Sequence, residues 1–138
     1  MCQGLLVLLA AEAAAAGEPA EAIARLVEAR RRDTRLYVML DTLEYLRRGG
    51  RISAAQAAIG SVLSVKPIIT IADGVVETLD KPRTLGRARA RLLELVAERP
   101  VERLAVVHSM APGIDAFRSD AAAATGMVAA GVVTELIG

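Results

Sequence analysis

The apolar positions of this chain fall into stretches of helical period separated by short β-rich runs. Leucine and alanine, both strong helix formers, fill most of Leu5 to Ala16, and Gly17 stands where a left-handed capping residue belongs, which predicts a buried or half-buried helix. Glu18-Pro19 supplies an acidic residue and a first-turn proline for a second helix. There Ile23, Leu26 and Val27 recur at helical spacing while Arg25, Glu28, Arg30, Arg31 and Arg32 fill the other face. Arg35 to Leu40 is short and rich in β formers and reads as a strand, and Asp41 with Glu44 three residues on makes a capping-box-like start for a helix at Leu43 to Arg47. Gly49-Gly50 breaks that helix, and Ser53 offers an N-cap for another over Ala54 to Leu63.

Pro67 ends that segment. Ile68 to Ile71 then meets Val75 to Leu79 across Asp73-Gly74, a pair that favours a tight turn, and this is the clearest hairpin in the sequence. Beyond Pro82, Leu85 to Ala97 sets Leu85, Ala88, Leu92, Leu95 and Val96 on one stripe with arginines opposite. Leu104 to Val107 reads as a buried strand, Gly113 to Ala124 as a helix ended by Gly126, and Val132 to Ile137 as a last strand. Strands alternating with helices, with one hairpin inserted, predict an α/β (α+β) fold with a mixed β-sheet covered on at least one face by helices. No internal repeat or linker interrupts the 138 residues, so one domain with one core is the expectation.

Composition narrows the function classes. The longest apolar run, Leu5 to Ala11, stops at Glu12, far short of the roughly 20 residues of a membrane span. No basic residue precedes it as a secretory signal would require, so a cytoplasmic protein is expected. Cys2 is the only cysteine, which excludes an internal disulfide and a thiolate cluster within one chain. A net charge of +1, no Trp, one Phe and two Tyr supply neither the positive field nor the stacking platforms of a nucleic-acid binder.

The same scarcity limits catalysis. One His, one Cys and no cluster of carboxylates at ligand spacing give no nucleophile, no general base pair and no metal site. His108 follows a buried strand, where a side chain can face a cleft or simply be hydrogen-bonded locally. Arg47-Arg48-Gly49-Gly50-Arg51-Ile52-Ser53 joins exposed glycine amides, flanking arginines and a helix start, a combination suited to a phosphate or carboxylate, or to a plain Gly-Gly terminator with solvated arginines. Lys81-Pro82-Arg83-Thr84 likewise brings cations to a helix start, where an acid would better serve stability; Arg83 either binds an anion or pairs with a nearby carboxylate.

Read as one stretch, Asp41-Thr42-Leu43-Glu44-Tyr45-Leu46-Arg47-Arg48-Gly49-Gly50-Arg51-Ile52-Ser53, then Gly60 to Ile68, Asp73-Gly74 and Arg83-Thr84, resembles the signature of the DegV family. The resemblance covers most of the chain and begins at Gly4-Leu5-Leu6-Val7, similar to the opening of that family's second domain. It implies a bacterial cytosolic carrier of two domains with a fatty acid buried between them. The partner would be a kinase related to dihydroxyacetone kinase that phosphorylates the acyl carboxyl group. The carrier is not an enzyme and needs no cofactor. By the same resemblance, Arg51 and Arg83 would serve the phosphorylated product or kinase docking, and Gly4, Val7, Met39, Ala55 and Val62 would help line the acyl tunnel, against the plain alternative of ordinary core. The family's N-terminal carboxylate-binding domain and its final His-x-Gly-Pro-Gly segment have no counterpart in residues 1–138, and His108 lacks the Gly-Pro-Gly context.

Two further classes stay open on the residues alone. An enzyme domain for phosphotransfer or acyl-phosphate hydrolysis could use Arg51 and Arg83 to stabilise developing charge, although no base is visible. A structural module could self-associate through an apolar cleft left open to water, which makes a homo-oligomer an expectation.

Overall fold

The computed structural model describes residues 2–44, 48–50, 65–128 and 132–136. The chain divides into two compact units, Met1–Leu36 and Tyr37–Gly138.

The first unit is a helical hairpin. Helix α1 (Cys2–Ala15) packs on α2 (Ala20–Arg31), and Gly17 turns the chain between them at φ +84°. α1 has no residue fully buried: Leu5, Leu6 and Leu9 are half-buried, while Val7 is 59% and Leu8 45% exposed. Of the two expected alternatives the half-buried one is observed: apolar residues lie on every side of α1, and α2 packs on one. Pro19 caps α2 with no side-chain hydrogen bond, and Arg30 and Arg31 lie in its last turn, favourably placed against the negative end of the helix dipole.

The second unit holds the buried apolar side chains. Strands β1 (Val38–Met39), β2 (Ile68–Ala72) and β3 (Val75–Asp80) form an antiparallel sheet in that order. The strand expected over Arg35 to Leu40 shrinks to two residues, and its C-terminal end has a covalent reason. Val38 pairs with Ile69 and Met39 with Ile68, so the ladder's next partner is Pro67, whose carbonyl accepts from the Leu40 N–H at 3.0 Å but which has no N–H to return.

The β2–β3 turn has the expected two residues, with Asp73 at φ +49° and Gly74 at φ +80°, the positive pair that a type I′ hairpin turn demands. Replacing Gly74 by alanine meets no atom within 4 Å yet places a Cβ in the left-handed region, so a destabilisation of about 1 kcal/mol is expected in chemical denaturation; an unchanged midpoint would contradict the turn. Further along, Ile68 faces Asp80 and Ile69 faces Thr78, which leaves Leu79 as an extra, unopposed residue, a β-bulge that carries it outward at 40% exposure.

Helix α3 (Leu85–Ala97) follows, with Thr84 as N-cap accepting from the Arg87 N–H at 3.3 Å. Its expected stripe is the one that buries: Ala88, Leu92 and Leu95 turn inward, and Leu92 and Leu95 pack on Ile68 with Tyr37, Met39 and Phe117 around them. The other face of the sheet carries Val76 against Val65 and Leu43. Strands β4 (Ala105–His108) and β5 (Val133–Leu136) pair in parallel as a separate ladder, joined by helix α4 (Ile114–Thr125). Gly113 and Gly126 bracket α4, both left-handed, and Val106, Ala122 and Val132 form the core beneath it. Phe117 touches both this cluster and the one around Ile68. Antiparallel and parallel pairings are both present, as a mixed α/β fold requires, but in two ladders. The helix expected over Ala54 to Leu63 lies outside the described residues, as do the last three residues of the one expected over Leu43 to Arg47.

Candidate functional site

The cation-bearing loops of the second unit come together through Lys66 and Pro67. The Lys66 backbone N–H donates to the Pro82 carbonyl at 2.7 Å, immediately before Arg83. Its ammonium donates to the Asp41 carboxylate at 2.6 Å and to the Asp41 carbonyl at 2.9 Å. Asp41 is thus committed to Lys66, and the capping role expected of it passes to Thr42, whose hydroxyl accepts from the Glu44 N–H at 3.2 Å. A residue type able to cap was legible in the sequence; the lysine 25 positions away that recruits it was not.

Arg83 is exposed and has no hydrogen bond or ion pair among the described residues, so the expected alternative of a carboxylate partner is not realised. The nearby acid, Asp80, turns instead toward Arg91, 3.4 Å away, which also meets Glu94 at 2.8 Å and Glu98 at 3.7 Å. The hydrogen bond to Glu94 and the three carboxylates raise the pKa of Arg91, so its charge is fixed in a structural cluster. Arg83 remains available at the positive end of α3, in a position where a cation does nothing for helix stability. Arg51, Ala55 and Val62 lie outside the described residues.

The remaining residues expected along an acyl tunnel lie on both units. Gly4 is exposed on α1 with open space where a Cβ would stand, and Val7 is exposed one turn later. Met39 belongs to the second unit, half-buried against Ile68, Leu92 and Leu95.

His108 ends β4 in register with Leu136, and its Nδ1 is buried without a hydrogen-bond partner among the described residues. The loop that follows holds Met110 at φ +53° with its side chain 80% exposed, a backbone conformation that bulky residues rarely adopt. Arg89 anchors the far end of that loop: it donates to the Pro112 carbonyl, and its guanidinium carbon stands 6.0 Å from the Phe117 ring centroid. A Cβ on Gly113 would come within 3.3 Å of Arg89 Nη1. Sequence reasoning missed Arg89, which looks like any other solvated arginine of the α3 stripe.

Among the described residues no group of His, Cys, Asp and Glu could hold a metal ion, and no helix is long and apolar enough to cross a membrane. The described residues thus define an α/β fold in which Arg83 stands exposed beside a hairpin with no partner among them. Residues 1–130 match the family described as "Uncharacterised protein, DegV family", and the chain belongs to that family. A DegV domain-containing protein of Streptomyces coelicolor is 47% identical over 116 residues, which is 81% of this chain and 41% of the relative. The solved structure of DegV from Bacillus subtilis, described as a fatty acid binding protein, is 33% identical with a TM-score of 0.78 over 98% of this chain and 49% of its own. A DegV family protein of Thermus thermophilus, described by its fatty acid binding, is 31% identical with a TM-score of 0.76 over 96% of this chain and 49% of its own. The chain therefore spans about half the length of the relatives it matches.

Proposed function

We propose that this chain is the acyl-binding second domain of a fatty-acid carrier, acting without catalysis of its own. The observation that carries the reading is the likeness to two solved proteins described as binding fatty acids, each over 30% identical across nearly all of this chain. In this reading the chain works with an N-terminal carboxylate-binding domain and a final His-x-Gly-Pro-Gly segment, in the bacterial cytoplasm. It presents the acyl carboxyl group to a kinase related to dihydroxyacetone kinase, in the service of phospholipid metabolism. Arg51 and Arg83 meet the phosphorylated product or dock the kinase. Gly4, Val7, Met39, Ala55 and Val62 contribute to the acyl pocket, and copies self-associate where apolar surface is left in water. Arg83 is exposed with no partner among the described residues, which supports its part, and the open space over Gly4 supports room for a chain of methylenes.

Native mass spectrometry of the purified chain, followed by denaturing extraction, tests the reading. A co-purified fatty acid and a dimer or higher oligomer are expected. Arg83→Ala should retain the lipid while lowering its phosphorylation by the kinase at least tenfold, since the cation is placed for the head group and not the tail. Lipid-free protein that also refuses added fatty acid would overturn acyl binding by this chain. Turnover of an acyl phosphate that depends on His108 would favour the enzyme alternative.

A further inference from the structure

We propose that the solvent face of α3 is an interface with a second copy of this chain, in which the two helices run antiparallel and pair Arg87 with Glu94 reciprocally. The contact is polar and lies on α3, which separates it from the self-association proposed above for apolar surface. α3 buries one side through Ala88, Leu92 and Leu95. On the other side Arg83, Arg87, Ala90, Glu94 and Ala97 are exposed at alternating steps of four and three residues, the spacing that keeps one helix seam turned toward another. The seam is divided by charge, with its arginines before Ala90 and its carboxylate after it. Parallel copies would set like charges against each other. Antiparallel copies related by a two-fold axis between Ala90 and Arg91 bring Arg87 of each to Glu94 of the other, because both stand equally far from that axis along the chain. The same axis brings Arg83 to Glu98. Ala90 at the axis is small enough to let the backbones approach, and the charges supply the attraction.

The two members of the inner pair are prepared differently. Arg87 lies in the first turn of α3, where the helix dipole repels a cation, and its side chain has no hydrogen bond or ion pair among the described residues. Glu94 accepts from Arg91 through Oε2 at 2.8 Å, yet its side chain stays 64% exposed, so its position is set before a second cation arrives. A carboxylate accepts several N–H groups, and Arg87 of the second copy would extend the Arg91–Glu94 pair into a network, the arrangement in which surface ion pairs contribute more than they do singly. The 13 residues of α3 span about 20 Å, which places the contact at the small end of specific interfaces. The dimer is therefore reversible and weakened by salt. Arg83 is engaged in the dimer and free in the monomer, so on the reading of Arg83 given above, self-association and its use on a phosphorylated head group exclude each other.

Sedimentation equilibrium of the chain and two charge-reversed variants tests the interface, and it needs no lipid, so its result is independent of acyl binding. Wild type is expected to form a dimer that dissociates as salt is raised. Arg87→Glu and Glu94→Arg each set like charges across the axis and should weaken the dimer about tenfold or more. Arg87→Glu removes a cation from the positive end of α3, so this variant should keep the wild-type circular dichroism and thermal midpoint or better. Mixed in equal amounts, the two variants should associate again, since each supplies the charge that the other lacks, and a defect in folding cannot imitate that recovery. A wild-type chain that stays monomeric at low salt would overturn the inference. A dimer indifferent to salt and to both variants would overturn it as well and leave the contact to apolar surface. Two variants that stay apart when mixed would overturn the reciprocal pairing.

Discussion

Ile68→Ala is expected to lower the unfolding free energy of the second unit by about 3 kcal/mol, within the usual span of roughly 2–5 for a buried aliphatic truncated to alanine. Ile68 is fully inaccessible and sits where strand, helix and chain entry meet, against Leu92 and Leu95, with Tyr37, Met39 and Phe117 closing over it. Part of the loss is transfer free energy, and part is the cavity that these neighbours cannot collapse to fill, since two of them are fixed on α3 and one is paired in β1. Ile68→Val, which removes one methyl, should cost about 1 kcal/mol. Ile71→Ala, three residues along the same strand but 51% exposed, should change stability by less than about 0.5 kcal/mol. Urea denaturation followed by circular dichroism measures all three. A cost for Ile68→Ala no larger than for Ile71→Ala would mean that β2 does not enter the core where the structure puts it.

That contrast also marks what could be read from sequence. The β-rich runs Ile68 to Ile71 and Val75 to Leu79 and the Asp73-Gly74 pair between them made the hairpin legible, because a two-residue turn with positive φ is a local demand that local residues satisfy. The α3 stripe was legible for the same reason: Ala88, Leu92 and Leu95 repeat at helical spacing, and they are the ones that bury. What the strand's own residues could not show is which end of it is covered. Ile68 and Ile71 are the same amino acid, and only the approach of α3 makes one core and leaves the other at the surface. The C-terminal limit of β1 was not legible because it is imposed by Pro67, a residue of another strand's entry. The roles of Asp41, Lys66 and Arg89 escaped for a related reason. Each side chain's partner lies more than 20 positions away, at distances along the chain where propensity and spacing carry no information. Arg83 stands out from the sequence as a cation in a place that helix stability does not explain, since that argument needs only the helix start and the sign of its dipole.

A fatty acid lengthened from 12 to 16 carbons is expected to bind this chain about two-hundredfold more tightly if the tail is enclosed. Each methylene withdrawn from water contributes roughly 0.8 kcal/mol, so four contribute about 3 kcal/mol. The estimate depends on enclosure alone, and so it separates a tunnel from surface adhesion without knowledge of the head-group contacts. The chain spans about half the length of its relatives, which makes the slope informative at intermediate values too. About half the full increment per methylene, or roughly fifteenfold over the same four carbons, would describe a trough that this domain forms and another segment closes. Fluorescence competition, run below the concentration at which the acids self-associate, measures the series. A flat response from 12 to 16 carbons would leave no enclosed tail, and with it no acyl pocket for Gly4, Val7 and Met39 to line. A steep response that Val7→Asp abolishes would place the tail against α1.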